Sequence, residues 1–295
     1  MVTAPTYPAS RIKRRRASAF EMEERAQFLI DYAMEHGPCT VRQLYYAAEV
    51  HGLPGIDKSD ASYNRIQYQV LKLRRDGRMP YDAIADATRW LRKPRSYDSI
   101  EDALAQTAAF YRRNLWRDAE TYVEVWCEKD ALAGVIFPVT AAYDVPLMVA
   151  RGFASETFCY EAVAARDGDP RPYHVLYLGD FDRAGQDAAR SLNDKLVRFA
   201  DEDGIEIVFH EIAVTVAQVI TMNLPTRKPK RVTPADRKWH WDFACELDAI
   251  PPHEMRNMVE EAINEHLPPD QLKVLQIAED SERELLKAFA GRARI

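Results

Sequence analysis

Two patterns of apolar spacing divide this chain. From Ala19 to His36, the residues Phe20, Met22, Ala26, Phe28, Leu29, Tyr32 and Ala33 recur at helical intervals, and Gly37-Pro38 ends the run. Thr40 is placed to cap a second helix over Val41–Val50, which Gly52, Pro54 and Gly55 then interrupt. A third helix is expected from Ser59 or Asp60, through Ile66, Val70 and Leu73, to Gly77. Three short helices, the third of them basic, followed by Met79–Ile84 predict a helix-turn-helix with a wing, that is, a winged-helix domain. A connector helix rich in Ala is expected from about Ser99 to Trp116.

After Tyr122 the pattern becomes one of alternating strands and helices, which predicts an α/β fold built on a parallel sheet. Strands are expected at Tyr122–Cys127, Pro146–Ala150, Tyr173–Leu178 and Ile205–Ile212, with helices at Ala131–Ala142, Glu156–Ala165 and Ala184–Ala200. Ser155 is available to cap the second of these helices, and Thr215 with Gln218 forms a capping box. The last regular helix is expected from Pro252 to His266. The resulting division is a basic flexible arm (1–18), a winged-helix unit (19–95), a helical connector (96–121), an α/β unit (122–240) and a C-terminal helical extension (241–295).

Charge modifies this picture. The net charge is −6, but basic residues are concentrated in Arg11–Arg16, in Arg227–Lys238 and between Arg65 and Arg95, where nine Lys/Arg face three Asp. Such clustering, with one run inside the helix-turn-helix, points to a polyanion such as double-stranded DNA, with Arg65, Lys72, Arg74, Arg75 and Arg78 as its contacts. Cys39, Cys127, Cys159 and Cys245 lie too far apart for a zinc knuckle or redox motif. No apolar run has the length of a membrane span, so a cytoplasmic protein that engages no membrane is expected.

Two constellations carry candidate chemistry. On the helix Val41–Val50, Val41, Leu44, Tyr45 and Ala48 define the apolar face, which leaves Tyr46 exposed on the other face with Arg42 and Glu49. A phenol needs a base, a metal or a nearby positive charge to act as a nucleophile, and Arg42 supplies a phosphate-binding charge beside it. Acids also stand where strands should end: Glu128 after the first, and Asp180 and Asp182 after the third. Ligands of open parallel sheets gather at those strand ends, so these carboxylates are candidate ligands for Mg²⁺, with Mn²⁺ as a substitute. The competing structural reading is that Asp182 and Asp130 cap the following helices. Glu124, Glu211, Glu246 and Asp248 are taken as structural or surface groups.

The order Val41-Arg-Gln-Leu-Tyr-Tyr46, Glu128-Lys-Asp-Ala-Leu132 and Gly179-Asp-Phe-Asp-Arg-Ala-Gly185 resembles the A subunit of topoisomerase VI and the related Spo11 proteins, over roughly Ala19 to Ile212. The resemblance implies that the α/β unit is a Toprim domain with a four-stranded parallel sheet. It implies that Tyr46 attacks a DNA phosphodiester, aided by Arg42, to leave a 5′-phosphotyrosyl link, and that Glu128, Asp180 and Asp182 bind Mg²⁺. It also implies a homodimer in which the tyrosine of one protomer faces the metal site of the other, and a separate ATPase subunit for strand passage. Gln43, and Arg183-Ala184 after Asp182, depart from the family pattern. Two other readings stand beside this one: a Toprim nuclease that hydrolyses DNA with water, of the plasmid- and phage-defence kind, and a non-catalytic DNA-binding protein.

Overall fold

The computed structural model describes residues 17–85, 96–166, 168–202, 204–234, 236–267 and 271–292. The basic run Arg11–Arg16 and the basic positions in 86–95 lie outside the described residues. Four buried thiols are unpaired, and among the described residues no helix is long and apolar enough to cross a membrane.

Capping residues set the N-terminal helices where the sequence places them. Helix α1 (Ala19–His36) starts at the Ser18/Glu21 capping box, and α2 (Val41–Val50) starts at the Thr40/Gln43 box. Helix α3 (Asp60–Arg75) is capped by Ser59. Their facing stripes, including Leu29, Ala33, Leu44, Tyr45, Ile66, Val70 and Leu73, form one core. The expected wing takes a different form: residues Tyr81–Ala83 make a 3-10 turn, and Ile84 pairs with Cys39 in a single parallel bridge. Among the described residues, no β-hairpin follows α3.

Helix α4 (Ile100–Phe110) leads to a sheet of four parallel strands in the order β2-β1-β3-β4: β1 (Tyr122–Cys127), β2 (Leu147–Val149), β3 (Tyr173–Leu178) and β4 (Ile207–Ala213). Side-chain alternation along the central strands divides the core in two. Val123, Val125, Cys127, Leu176 and Leu178 pack beneath α5 (Asp130–Ala142) and α9 (Pro252–Asn264). Trp126, Tyr173, Val175 and Tyr177 pack against α6 (Glu156–Ala164) and α7 (Arg183–Glu202). The protein is therefore α/β, with helices on both faces of a parallel sheet. Short α8 (Val216–Thr221) follows β4 from the Thr215/Gln218 capping box.

One helix was missed. The pattern ends regular structure at His266, yet α10 (Gln271–Arg292) follows and packs along α4. Val274, Ile277, Leu285 and Phe289 remain exposed on one side of it. Tyr111 Oη donates to Glu282 at 2.7 Å, and the Arg113 amide donates to Glu279 at 2.9 Å, which locks α10 to the chain leaving α4.

Glu124 is 3% exposed on β1 and accepts hydrogen bonds from Tyr122 and Trp126, both at 2.9 Å, and from the Tyr173 hydroxyl. Burial pushes its carboxyl upward, and the three donors only partly offset this. Its role is to satisfy polar groups inside the α6/α7 core. Glu124→Ala leaves those donors without their acceptor and should cost about 2–4 kcal/mol, measured as a lower urea midpoint with an unchanged slope.

Candidate functional site

The carboxyl ends of β1 and β3 lie side by side, so Glu128 and Asp180 become neighbours. The Asp180 amide donates to Glu128 Oε2 at 2.9 Å. Gly179 is required between them, since a Cβ there would come within 2.5 Å of the Tyr177 ring and 3.0 Å of Glu128 Oε2. Gly185 is equally constrained, because its Cβ would meet the Asp180 carbonyl at 2.2 Å. Asp182 does cap α7, accepting from the Gly185 amide at 2.9 Å through Oδ1, while its Oδ2 pairs with Arg227 at 2.6 Å. Asp130 is not a cap; it lies in the first turn of α5, and Lys129 occupies the capping position.

A second acidic pair arrives from far along the chain. Segment 244–245 is extended and bridges both Phe181 and Arg227: the Phe181 amide donates to Cys245 at 2.8 Å, and the Arg227 amide to Ala244 at 2.8 Å. This places Glu246 and Asp248 beside Asp180, whose Oδ1 also accepts from the Leu247 amide at 2.8 Å. Lys129 sits among them, 2.8 Å from Asp180, 2.8 Å from Asp248 and 3.8 Å from Glu246. Burial opposes its charge, but the carboxylates of Asp248, Asp180 and Glu246 outweigh that and hold its pKa well above the ordinary lysine range.

Helix α2 docks on this acidic segment. Thr40 Oγ1 donates to Asp248 at 3.2 Å, Gln43 Nε2 donates to the Ile250 carbonyl at 3.1 Å, and Arg42 pairs with Glu246 at 3.5 Å while lying over the Tyr63 ring. The expectation of an exposed Tyr46 is corrected by this contact: its ring is half-buried and packs against both the α1–α3 core and the sheet core. Burial, and then the Glu246 carboxylate, push its phenol above the ordinary tyrosine value, against the opposing pull of Arg42 and Lys129. Tyr46 and Arg42 share a small cavity of about 120 Å³ with Lys58, Arg227 and Glu246.

The three expected metal ligands are therefore near one another but engaged elsewhere. Among the described residues, no group of three or more His, Cys, Asp or Glu side chains is arranged to hold a metal ion. The reason is competition: Lys129 holds Asp180, and Arg227 holds Asp182. Charge and donor type nevertheless fit a hard divalent cation. Five carboxylates (Glu128, Asp180, Asp182, Glu246 and Asp248) face three cations (Lys129, Arg227 and Arg42), a formal charge of −2. The Tyr177 hydroxyl beside Glu128 is also buried without a partner. A bound cation would draw on Glu128, Asp180 and Asp182, with the last two exchanging a cationic side chain for it.

Of the expected DNA contacts, Arg65, Lys72 and Arg75 lie on the exposed face of α3, and Arg78 is exposed but paired with Glu23. Arg74 turns inward onto the Tyr81 ring, 4.4 Å from its centre. Lys129 and Arg227 are absent from the expected site, and Glu246 and Asp248, lesser candidates read as structural or surface groups, join it. A signal existed, since Glu246-Leu-Asp248 repeats the acid-x-acid spacing of Asp180-Phe-Asp182. In comparison with known proteins, the chain matches no family model, and no curated protein gives a significant match.

Burial, and then the neighbouring Asp180 charge, raise the Glu128 carboxyl. A group raised in the folded state contributes stability that is complete below its unfolded pKa and is lost as pH rises through its folded value. Glu128→Gln, which cannot ionise, should therefore unfold at a higher temperature than the native protein at neutral pH without divalent cations. The difference should close toward about pH 4, as thermal unfolding across a pH series would record.

Proposed function

We propose that this protein cleaves double-stranded DNA in the manner of the topoisomerase VI A subunit and Spo11, with α1–α3 serving as a winged-helix domain and the sheet as a Toprim domain. The observation that carries this reading is that Tyr46 and Arg42 line one cavity with Arg227 and Glu246, and that these in turn engage Asp182 and Lys129. A candidate nucleophile, phosphate-binding cations and a carboxylate cluster thus face one another.

In this mechanism Arg42, Arg227 and Lys58 receive a backbone phosphate. The Tyr46 hydroxyl oxygen forms a bond to phosphorus, and the bond from phosphorus to the 3′ oxygen breaks. The departing 3′ oxygen takes up a proton, and the 5′ phosphate stays on Tyr46. Glu246, the carboxylate acting most strongly on the phenol, accepts its proton. Mg²⁺ or Mn²⁺, when bound by Glu128, Asp180 and Asp182, would supply Lewis-acid stabilisation of charge on the phosphate oxygens. The phosphotyrosyl bond conserves the energy needed for religation.

Two copies of the chain would cut the two strands. Strand passage would require a separate ATPase subunit.

One observation favours a second reading, hydrolysis by water at the same acids: the Tyr46 phenol is half-buried and held protonated by burial and Glu246. The two readings separate when supercoiled plasmid is incubated with the protein and Mg²⁺ or Mn²⁺, stopped with detergent and run with and without protease. Transesterification predicts protease-sensitive protein on the DNA ends, loss of cleavage in Tyr46→Phe and Asp180→Ala, and slowing by about 10²–10³ in Arg42→Ala. Free ends that persist in Tyr46→Phe but vanish in Asp180→Ala would establish the hydrolase instead. Absence of cleavage by the native protein under all conditions would count against both.

A further inference from the structure

A second cationic feature lies apart from the Tyr46 cavity, in a cleft of about 430 Å³ between α1 and α3. That volume is in the usual range for ligand pockets, roughly 300–1,000 Å³. Its unusual element is Arg25. The residue is 5% exposed, lines the cleft and, among the described residues, makes no hydrogen bond or ion pair; its Nε is buried without a partner. Burying a guanidinium in this way is costly unless something anionic completes it.

The surroundings increase the mismatch. Arg65 and Lys72 line the same cleft from α3. Arg65 donates to the Gly55 carbonyl at 2.7 Å, and its charge also acts on the Asp57 carboxylate outside the cleft. Two acids also line the cleft, but Glu23 is bound in two-pronged fashion by Arg78, at 2.5 and 3.1 Å, and the charge of Asp76 acts on that same arginine. Glu21, one turn before Arg25, accepts from the Ser18 amide at 2.7 Å to cap α1. Burial, and then the charge of Arg65, disfavour the protonated form of Arg25, and the Glu21 carboxylate one turn earlier offsets them only in part. The rest of the lining is largely apolar and includes Met22, Ala26, Leu73 and the exposed Tyr68 ring.

We infer that the α1/α3 cleft binds the phosphate of a nucleotide unit, with Arg25 as its buried anchor and Arg65 and Lys72 at its mouth. Phosphate matches the surplus of positive charge, and the apolar lining with Tyr68 suits the attached sugar and base. The phosphate belongs either to a nucleic-acid backbone or to a free nucleotide. This inference does not depend on the chemistry at Tyr46.

The test uses the full chain. Thermal unfolding is compared in about 20 mM inorganic phosphate and in chloride of equal ionic strength. Phosphate should raise the unfolding temperature of the native protein but not that of Arg25→Met, which in chloride should be at least as stable as the native protein because it no longer buries a charge that Glu21 offsets only in part. Arg65→Met, at an exposed position, should show the same loss of response and guards against misfolding of the first variant. Equal stabilisation of the variants and the native protein, or none in any of them, would overturn the inference. Titrations with a labelled duplex and with adenosine monophosphate then identify the source. Several-fold weaker duplex binding in Arg25→Met, with a salt dependence reduced by about one counterion, assigns the cleft to the backbone. Unchanged duplex binding with loss of the monophosphate assigns it to a free nucleotide.

Discussion

The Lys129 ammonium, held by Asp180 and Asp248 at 2.8 Å and near Glu246 at 3.8 Å, joins the ends of two paired strands to a segment from far along the chain. It stands at the end of β1, Asp180 at the end of β3, and Glu246 and Asp248 at a 3-10 turn (Leu247–Ala249) before α9. A buried cation without partners would be costly, and so would any one of these carboxylates if it were removed from water alone. The four groups therefore constrain one another, and segment 246–248 is drawn against the strand ends. That segment is also where α2 docks, through Thr40, Arg42 and Gln43. The placement of the N-terminal helices over the sheet thus depends on a polar contact at the end of one strand as well as on apolar packing.

Much of this fold is legible in the sequence because local signals agree with tertiary demand. Ser18, Thr40, Ser59, Ser155 and Thr215 each accept a hydrogen bond from the amide of a first-turn residue, so helix starts can be read from composition. The alternation in β1 and β3 is equally plain, with one set of side chains under α5 and α9 and the other against α6 and α7. Period-two spacing identifies a strand whose two faces enter different cores. The wing does not form a hairpin: Met79–Ile84 contains Pro80, Asp82 and Ala83, which disfavour a strand, and Ile84 makes only one bridge.

The site is harder to read because its parts meet through long-range contacts. Helical periodicity puts Tyr46 about 100° round α2 from Tyr45; what the periodicity cannot contain is that residues 222–225 and 246–250 lie against that side of the helix. Amphipathicity describes one helix against one core, whereas α2 lies between two. Glu246 and Asp248 were set aside for a related reason: they do not follow a strand, and strand ends are the usual guide to ligands in parallel sheets. The antiparallel bridges of Phe181 with Cys245 and of Arg227 with Ala244 return them to the strand ends, through backbone bonding that leaves no pattern in side-chain type.

Glu246 gathers these observations into one electrostatic argument. Its carboxylate is shared among Arg42 at 3.5 Å, Arg227 at 3.4 Å and Lys129 at 3.8 Å, and it raises the Tyr46 phenol. None of these contacts is short, so the carboxylate is shielded by several cations and bound tightly by none. An anion entering the 120 Å³ cavity would meet Arg42 and Arg227 while they still face Glu246. Each contact it gained would weaken one that now shields that carboxylate, and a less shielded carboxylate is a better proton acceptor. In the proposed reaction, phosphate binding and deprotonation of Tyr46 would therefore be coupled through Glu246. The phenol would stay protonated while the cavity holds no anion and would be primed when the substrate occupies it.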